Sequence, residues 1–228
     1  MSERDSIFAR VREALTVTAP FPGLPHDATR PPRELPTAAD HRRVLPAVGA
    51  SLAERVALFA KNAAELRADF KVVADGDELA TELRRLRDAE GWTRLASHRG
   101  SLTDSACATL GLPVLLTDGG YDKHELETCP VGITECDALV AQTGSVVVTS
   151  RTAGGRALSV LPPHHVALAR RDQLVADLPE ALARLRARYG ADFPSMISFI
   201  TGPSRTGDIE RILVLGAHGP KKLTIFLA

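Results

Sequence analysis

A strand, a turn and a helix follow one another most clearly in the stretch Phe70-Lys-Val-Val-Ala74, continued by Asp75-Gly-Asp77. The apolar residues predict a short strand, and the Asp-Gly-Asp sequence predicts a turn. The leucines that come next recur at helical spacing: Leu79, Leu83 and Leu86. A further candidate strand, Thr93–Ser97, comes after them. This succession favours a parallel βαβ unit.

The alternation of helices and strands extends on both sides of this unit. Upstream, an apolar stripe predicts a long amphipathic helix: Leu52, Val56, Phe59, Ala63, Leu66 and Phe70. Downstream, the patterns predict helices at 102–110, Thr134–Gln142 and Leu178–Tyr189. They predict strands at Val114–Thr117, Ser145–Thr149, Ala157–Leu161, Val166–Ala169, Met196–Ile200 and Leu223–Leu227. We therefore expect a layered α/β fold with a mixed or mostly parallel sheet and flanking helices, and a small antiparallel excursion near the middle.

The composition is that of an ordinary globular protein and excludes several classes. Of 228 residues, 44% are hydrophobic and 25% are charged, and 28 Lys and Arg balance 28 Asp and Glu. This neutrality argues against a nucleic-acid partner, which usually selects a basic excess. No apolar run reaches the roughly 20 residues of a membrane span. The N-terminus also lacks the form of a signal peptide, so we expect a cytoplasmic protein.

The cysteines indicate a protein that holds no redox centre of its own. Cys107, Cys129 and Cys136 are the only three, and no two form a CxxC pair. Such a set suits a reducing compartment and cannot bind a four-cysteine iron–sulfur cluster. Nothing in the spacing suggests a zinc site. We therefore expect no metal site, and no cofactor bound by this chain alone.

The N-terminal part differs in composition from the rest of the chain. A short helix is predicted near residues 3–15, and seven prolines then lie between Val17 and Val48. Proline lacks a backbone donor and disfavours helix in the preceding residue. The predicted organisation is an N-terminal helix and proline-rich arm over 1–48 and an α/β domain over 49–228. The arm is either disordered or ordered by a partner.

Ligands of open α/β sheets bind at the carboxyl ends of strands, and this rule directs attention to three segments. The first is Ala141-Gln-Thr-Gly-Ser145, where Thr143, Gly144 and Ser145 could offer backbone N–H groups and hydroxyls to an anion. Arg151 and Arg156 follow the next strand and could pair with phosphate or carboxylate. The alternative is that two polar turns simply bound a strand.

The second segment is Leu161-Pro-Pro-His-His165. Two prolines predict a stiff loop, on which His165 could act as a base or bind a metal. The alternative is that the histidine pair caps a strand and bonds the backbone. No carboxylate or cysteine stands at ligand spacing, which favours this alternative.

The third segment is the most distinctive, and it reads Thr201-Gly-Pro-Ser-Arg-Thr-Gly-Asp-Ile-Glu210, followed by Leu213-Val-Leu-Gly-Ala-His-Gly-Pro220. Arg205 could clamp a carboxylate or phosphate, with Asp208 orienting it. Equally, Asp208 and Ser204 could satisfy buried amides within an internally bonded loop. Cys136 is rejected as a nucleophile, because Glu135 and Asp137 raise the pKa of its thiol.

The third segment resembles the C-terminal signature of the lactate utilization protein C family, whose members are LUD-domain proteins. The turn at 141–145 and the segment at 161–165 match the same family in order, so the resemblance covers about residues 49–228. It implies the layered fold of phosphosugar isomerases and CoA-transferases. It also implies a role beside two other proteins that oxidise L-lactate to pyruvate in bacteria, with the iron–sulfur clusters in those partner subunits.

The family likeness and the strand ends together suggest one set of ligand-binding residues: Thr143, Gly144, Ser145, Gly202, Ser204, Arg205, Thr206, Asp208 and Gly219. His165 and His218 are the weaker catalytic candidates, as acceptors of a proton from a 2-hydroxyl group. The glutamate pattern of CoA-transferases is missing, and Glu135 is its nearest match. Three functions stay open: a carboxylate-binding subunit of a lactate oxidation system, a separate protein for a phosphate- or CoA-bearing molecule, and an adaptor without a ligand.

Overall fold

The computed structural model describes residues 3–16, 47–151, 155–206, 214–216 and 218–228. The chain divides into two units, Met1–Val44 and Leu45–Ala228. In the first unit the described element is helix α1 (Glu3–Thr16), at the position of the predicted N-terminal helix. The proline-rich segment lies almost wholly outside the described residues, so the predicted arm and its boundary at residue 48 stay predictions.

The second unit alternates helices and strands from Leu52 onward. Its helices are α2 (Leu52–Glu65), α3 (Gly76–Glu90), α4 (Ser101–Leu110), α5 (Lys123–Glu127) and α6 (Leu178–Tyr189), with short 3-10 helices at Ala157–Ser159 and Arg171–Gln173. Its strands are β1 (Asp69–Val72), β2 (Leu95–Ser97), β3 (Val114–Leu116), β4 (Val131–Glu135), β5 (Ala138–Val140), β6 (Ser145–Thr149), β7 (His164–Ala169), β8 (Leu174–Val175), β9 (Ile197–Ile200), β10 (Arg205–Thr206), β11 (Val214–Leu215) and β12 (Lys222–Leu227).

The strands form one large parallel sheet and one smaller mixed sheet. The six-stranded sheet has the order β1-β12-β7-β4-β2-β3, and every neighbouring pair in it is parallel. The four-stranded sheet has the order β8-β5-β6-β9, and β6 runs antiparallel to both neighbours. Strands β10 and β11 pair separately. The predicted α/β class is confirmed, and the antiparallel excursion is a sheet of its own.

Helices α3 and α4 cover one face of the six-stranded sheet. Leu79 and Leu83 of α3 and Leu110 of α4 pack in one buried cluster with Val166 of β7 and Phe226 of β12. Because β7 and β12 are buried on both faces, their sequences are nearly continuous apolar runs rather than alternating ones.

The four-stranded sheet covers the other face, together with helix α2. Phe59 of α2 and Val146 of β6 pack with Ala167 of β7 and Ile225 of β12. Helix α6 then covers the far side of the four-stranded sheet through Leu185. The residues of β7 that face the space between the two sheets alternate from His165 through Ala167 to Ala169.

Local sequence explains where the two long helices begin. Ser51 and Glu54 form a reciprocal capping box at the start of α2. The Asp75 side chain accepts hydrogen bonds from the backbone N–H groups of Asp77 and Glu78, and so caps α3. Gly91 ends α3 at φ 64°, a left-handed conformation that glycine adopts without strain.

The predicted helix at Thr134–Gln142 is wrong, because this segment ends β4, turns and forms β5. Asp137 is buried, and its carboxylate accepts a hydrogen bond from the Tyr189 hydroxyl at 2.7 Å and pairs with Arg188 at 3.2 Å. Tertiary partners thus override the local pattern.

Two further predictions are corrected in the same region of the fold. Residues 157–161 do not form a strand, since Ala157–Ser159 is a 3-10 helix. It packs on Gly132, whose added Cβ would lie 2.4 Å from the Leu158 carbonyl oxygen. His165 does not stand on a stiff loop, because it belongs to the buried start of β7.

The apolar stripe that predicted one helix from Leu52 to Phe70 spans two elements. Helix α2 ends at Glu65, Arg67 has a positive φ of 62°, and Phe70 lies in β1. The Phe59 and Phe70 rings still pack together, 4.7 Å apart between centroids. Phe70 thus packs on the apolar side of α2 from the next strand, which is why its position in the sequence fitted the helical spacing.

Candidate functional site

A cavity of about 200 Å³ lies where the amino ends of β7 and β12 meet the segment that follows β9. Five of the predicted site residues line it: His165, Gly202, Ser204, His218 and Gly219. The rule that ligands bind at the carboxyl ends of parallel strands does not describe this place. The cavity is at the carboxyl end of β9 in the small sheet, but at the amino ends of β7 and β12 in the large one.

His165 is the most deeply buried polar group of this cavity. The ring is 1% exposed, and its Nε2 is hydrogen-bonded to Thr134 Oγ1 at 2.9 Å. Its Nδ1 is buried and has no partner among the described residues. Burial, and to a lesser degree the neighbouring His164, lowers the pKa of His165 to about 3, so the ring is neutral at neutral pH.

The segment after β9 reaches the cavity through a turn that requires glycine. Gly202 has φ 81°, and an added Cβ there would lie 3.0 Å from the Leu66 carbonyl oxygen. A side chain would therefore be strained both by the backbone conformation and by the contact with helix α2's end. This fixes the approach of Pro203 and Ser204 to His165.

Ser204 holds together the two halves of the third segment. Its N–H donates to the Pro220 carbonyl at 2.8 Å, and its carbonyl accepts from the Gly216 N–H at 2.9 Å. Its hydroxyl accepts from the His218 N–H at 3.3 Å. These bonds agree with the internally bonded loop that was one alternative, and Ser204 is at the same time one of the residues that line the cavity.

The turn at 143–145 is connected to the cavity through hydroxyl groups. Thr143 Oγ1 and Ser145 Oγ lie 2.7 Å apart, and Ser145 Oγ lies 2.8 Å from Thr201 Oγ1. Thr201 lines the cavity and also, together with Thr143 and Ser145, a neighbouring apolar depression of about 350 Å³. Gly144 has φ 65° and packs against helix α2. The first and third predicted segments thus meet in this depression through Thr143, Ser145 and Thr201, whereas the cavity beside His165 is lined from the third segment and not from the first.

The remaining predicted residues lie farther out. Arg205 and Thr206 form β10, and the exposed Arg205 is not among the residues that line the cavity. Asp208 lies outside the described residues, so its role as a partner of Arg205 stays a prediction. His218 is exposed at the cavity rim.

The two adjacent histidines face opposite sides of the large sheet. His164 Nε2 is hydrogen-bonded to Thr224 Oγ1 at 2.9 Å, and the Trp92 ring lies edge-on at 5.3 Å. Burial lowers the pKa of His164 as well. Because the rings diverge, they do not form a two-histidine metal site. Within the described ranges, no group of three or more His, Cys, Asp or Glu side chains is placed to hold a metal ion.

A second polar cluster, at the carboxyl edge of the six-stranded sheet, was not predicted as a unit. Glu135 Oε1 accepts the Leu102 N–H at 2.7 Å and so caps helix α4, and Glu135 Oε2 lies 3.7 Å from Arg170 Nη1. The Glu135 N–H donates to His98 Nε2 at 2.9 Å. The feature of the sequence that belongs to this cluster is Gly100. It leaves room for the Glu135 carboxylate, because an added Cβ there would lie 2.5 Å from Glu135 Oε1. Here Glu135 has a structural role.

The cysteines are free thiols, and two of the three are buried. Burial raises the pKa of the Cys136 thiol, and the adjacent Asp137 and Glu135 raise it further. The rejection of Cys136 as a nucleophile therefore agrees with its environment. No helix in the part of the chain that the structure describes is long and apolar enough to cross a membrane.

Comparison with known proteins places this fold and cavity in a named class. Residues 117–228, which contain all the residues that line the cavity, match the LUD domain. A solved DUF162 family protein from Deinococcus radiodurans aligns with 78% of this chain and 99% of its own, at a TM-score of 0.62 and 23% identity, and so shares the fold.

Proteins named lactate utilization protein C are similar over longer or shorter stretches. The one from Shouchella clausii is 33% identical over 184 residues, which is 76% of this chain and 78% of that protein. The one from Halalkalibacterium halodurans is 38% identical over 106 residues, 46% of either protein. The one from Geobacillus kaustophilus is 41% identical over 106 residues, 46% of this chain and 44% of that protein. The chain belongs to the lactate utilization protein C family of LUD-domain proteins.

Proposed function

We propose that this protein acts in lactate utilization, as the component of an L-lactate oxidation system that binds a small carboxylate in the cavity beside His165. Relatives named lactate utilization protein C support the role. The observation that carries the ligand proposal is the cavity itself, which brings His165, Thr201 and Ser204 from distant parts of the chain to one wall. A largely apolar pocket with a few convergent polar groups is the usual form of a small-molecule site.

The size of the cavity favours a small acid over a larger molecule. Pockets for drug-sized ligands measure roughly 300–1,000 Å³. At about 200 Å³ this cavity suits a molecule of a few heavy atoms, such as a 2-hydroxy acid. A CoA or nucleotide would have to lie mostly outside it. This cavity is therefore not the place where the alternative, a phosphate- or CoA-bearing molecule, would be bound.

The polar groups of the cavity wall match a hydroxy acid. Thr201 and Ser204 bring hydroxyl-bearing side chains to the lining, and the His165 ring beside them is neutral at neutral pH. Oxidation of the 2-hydroxyl group needs an electron acceptor, which no side chain provides. A chain with three cysteines cannot supply the four thiolates of a cluster, so we assign the iron–sulfur clusters to partner subunits.

Thermal and chemical unfolding in the presence of candidate ligands tests the proposal. L-lactate or pyruvate at about 100 times its dissociation constant is expected to raise the free energy of unfolding by about 2.7 kcal/mol. CoA and a sugar phosphate serve as comparison ligands. Stabilisation by CoA or sugar phosphate and none by the acids would establish the alternative instead.

Reconstitution tests the role in the system. Lactate oxidation by the assembled partner subunits is expected to fall when this chain is left out, and to return when it is added. A complex that oxidises lactate equally well without this chain contradicts the proposal. The variant Ser195→Ala changes an exposed serine outside the cavity lining. It is prepared in the same way and should restore lactate oxidation as the unaltered chain does.

A further inference from the structure

We propose that β9 is the interface through which two copies of this chain pair, edge to edge and antiparallel, so that their four-stranded sheets join into one continuous sheet. This inference goes beyond the proposed function and does not depend on the acid site. It starts from the position of β9 (Ile197–Ile200) at one end of the strand order β8-β5-β6-β9. Among the described strands, β6 is the one neighbour with which β9 pairs.

The outer edge of β9 presents backbone groups that have no strand partner among the described residues. Ser150 and Met196 continue the register of β6 and β9, and the Ser150 N–H donates to the Met196 carbonyl at 3.0 Å. Hydrogen-bonded and non-hydrogen-bonded pairs alternate along an antiparallel ladder, so Ser198 is the next residue of β9 that bonds β6. The N–H and C=O groups of Ile197 and Phe199 therefore point away from β6, toward the open edge.

The other edge strands of the two larger sheets are protected against such pairing, and β9 is not. Strand β1 carries Asp69 and Lys71, β3 has three residues and follows Pro113, and β8 has two residues. Charges, prolines and short length are the usual means by which proteins prevent edge-to-edge pairing. The sequence of β9, Ile197-Ser-Phe-Ile200, has no charge and no proline. It is therefore the edge on which another strand pairs most readily.

An exposed apolar surface lies beside this edge, on the side of the sheet that α6 covers. Leu182 of α6 is 50% exposed, and it lines the depression of about 350 Å³ together with Leu178 and Phe199. Phe193, in the segment before β9, is also exposed. Apolar surface of this kind marks interaction sites when several residues contribute to it. A strand added to β9 would carry side chains over the depression, as in recognition by β-strand addition.

A second copy of the chain is the partner that the charges beside β9 fit. In an antiparallel pair about a two-fold axis, the segment before each β9 lies next to the segment after the other. The exposed Asp192 precedes β9 and the exposed Arg205 follows it, so these flanks carry opposite charges. The Asp192 side chain is 80% exposed even though it pairs with Arg151, which leaves it accessible to a partner.

The same symmetry brings the apolar surfaces of the two copies together. A two-fold axis that joins two antiparallel edge strands is perpendicular to the joined sheet, so both α6 helices lie on one face of it. Leu182 projects from α6 toward Phe199 of β9, since both line the depression. The Leu182 side chains of the two copies thus approach each other above the new strand pair and are covered there.

Sedimentation velocity of the full chain over a range of concentrations tests this inference, and a monomer–dimer equilibrium is expected. Leu182→Lys places a charge in the contact and should raise the dimer dissociation constant about thirtyfold or more, as for a central interface residue. Ala187→Lys is the matched control, because it adds the same charge to an exposed position of α6 that lies on the side of β8. A chain that is monomeric at every concentration overturns the inference. A dimer that both substitutions affect equally, or that neither affects, also overturns it.

Amide hydrogen exchange tests whether β9 itself forms the contact, and it needs no variant that could fail to fold. At concentrations where the unaltered chain is dimeric, the N–H groups of Ile197 and Phe199 are expected to be protected, and dilution to monomer should release them. The N–H of Ser198, which faces β6, is the internal reference and should stay protected in both states. Rapid exchange at Ile197 and Phe199 in the dimer overturns the inference, because the two copies are then joined elsewhere.

Discussion

The two polar regions at opposite ends of the large sheet differ in how completely their groups are paired. At the carboxyl edge, Glu135 bonds the start of α4, faces Arg170 and donates its N–H to His98. At the amino ends of β7 and β12, His164 and His165 each retain a buried Nδ1 without a partner among the described residues. The fully bonded network stabilises the fold, whereas the incompletely bonded region is the one that borders the cavity.

The largest loss of stability is expected from Gly132→Ala. Gly132 is the residue of β4 in register with His165, so this variant tests the packing on the cavity side of the sheet. The new Cβ would lie 2.4 Å from the Leu158 carbonyl oxygen and 3.1 Å from Pro162 Cγ. We expect the free energy of unfolding to fall by about 3 kcal/mol, at the upper end of overpacking effects. Urea denaturation measures it, with Gly119→Ala as the control, since a Cβ at Gly119 has nothing within 4 Å. Equal stability of the two variants would contradict the packing described here.

Acid should weaken the fold through the buried histidines before the carboxylates titrate. The pKa values of His164 and His165 are lowered from 6.5 in the folded chain. Below that pH the two histidines are therefore protonated in the unfolded chain and remain neutral in the folded one. Stability is therefore present above about pH 6.5 and is lost as the pH falls from there toward 3. For His165 the loss between pH 6.5 and 5 is on the order of 2 kcal/mol.

Denaturation curves at pH 7 and pH 5 measure this loss, and His165→Gln should flatten the dependence. Glu54 and Glu82 also have lowered pKa values, but from 4.5, so their loss of stability begins at lower pH. A stability that does not change between pH 7 and pH 5 would show that His165 is not held neutral.

Glu135→Ala tests the polar cluster at the carboxyl edge of the six-stranded sheet. It should lower the free energy of unfolding and leave the affinity for small acids unchanged. It removes the acceptor for the Leu102 N–H at the start of α4 and the carboxylate that faces Arg170. We expect a loss of about 1–2 kcal/mol in the free energy of unfolding, as for a lost helix cap. The affinity for small acids should be unchanged. Loss of ligand affinity without loss of stability would move the candidate site to this edge.

Ser204→Ala is expected to have the smallest effect on stability and a clear effect on the cavity. Its hydroxyl accepts the His218 N–H at 3.3 Å, and a bond of this kind contributes about 1 kcal/mol. The affinity for the acid should fall as well, since Ser204 is one of the residues that line the cavity. Ser195→Ala, at an exposed position, serves as the control in both measurements.

Periodicity predicted the long helices and most strands because their apolar spacing is local. The leucines of α3 and the apolar run of β7 are read directly in this way. The segment at 134–142 was predicted as a helix and could not be read correctly, since the partners of the buried Asp137, Tyr189 and Arg188, are distant in the sequence. The position of His165 was also predicted wrongly. The two prolines before it suggested a loop, whereas pairing with β4 and β12 places it in β7.

Family resemblance and glycine spacing already pointed to Gly202, Ser204 and Gly219 as a site, and the cavity joins them to His165 and His218. The placement of Thr143 and Ser145 beside a different depression depends on how β5, β6 and β9 pair, which no local pattern records. The fold class was readable from the sequence, because amphipathic spacing is a property of neighbouring residues. The unfinished bonding of His165 was not, because it depends on which distant groups the packed sheets bring against one ring.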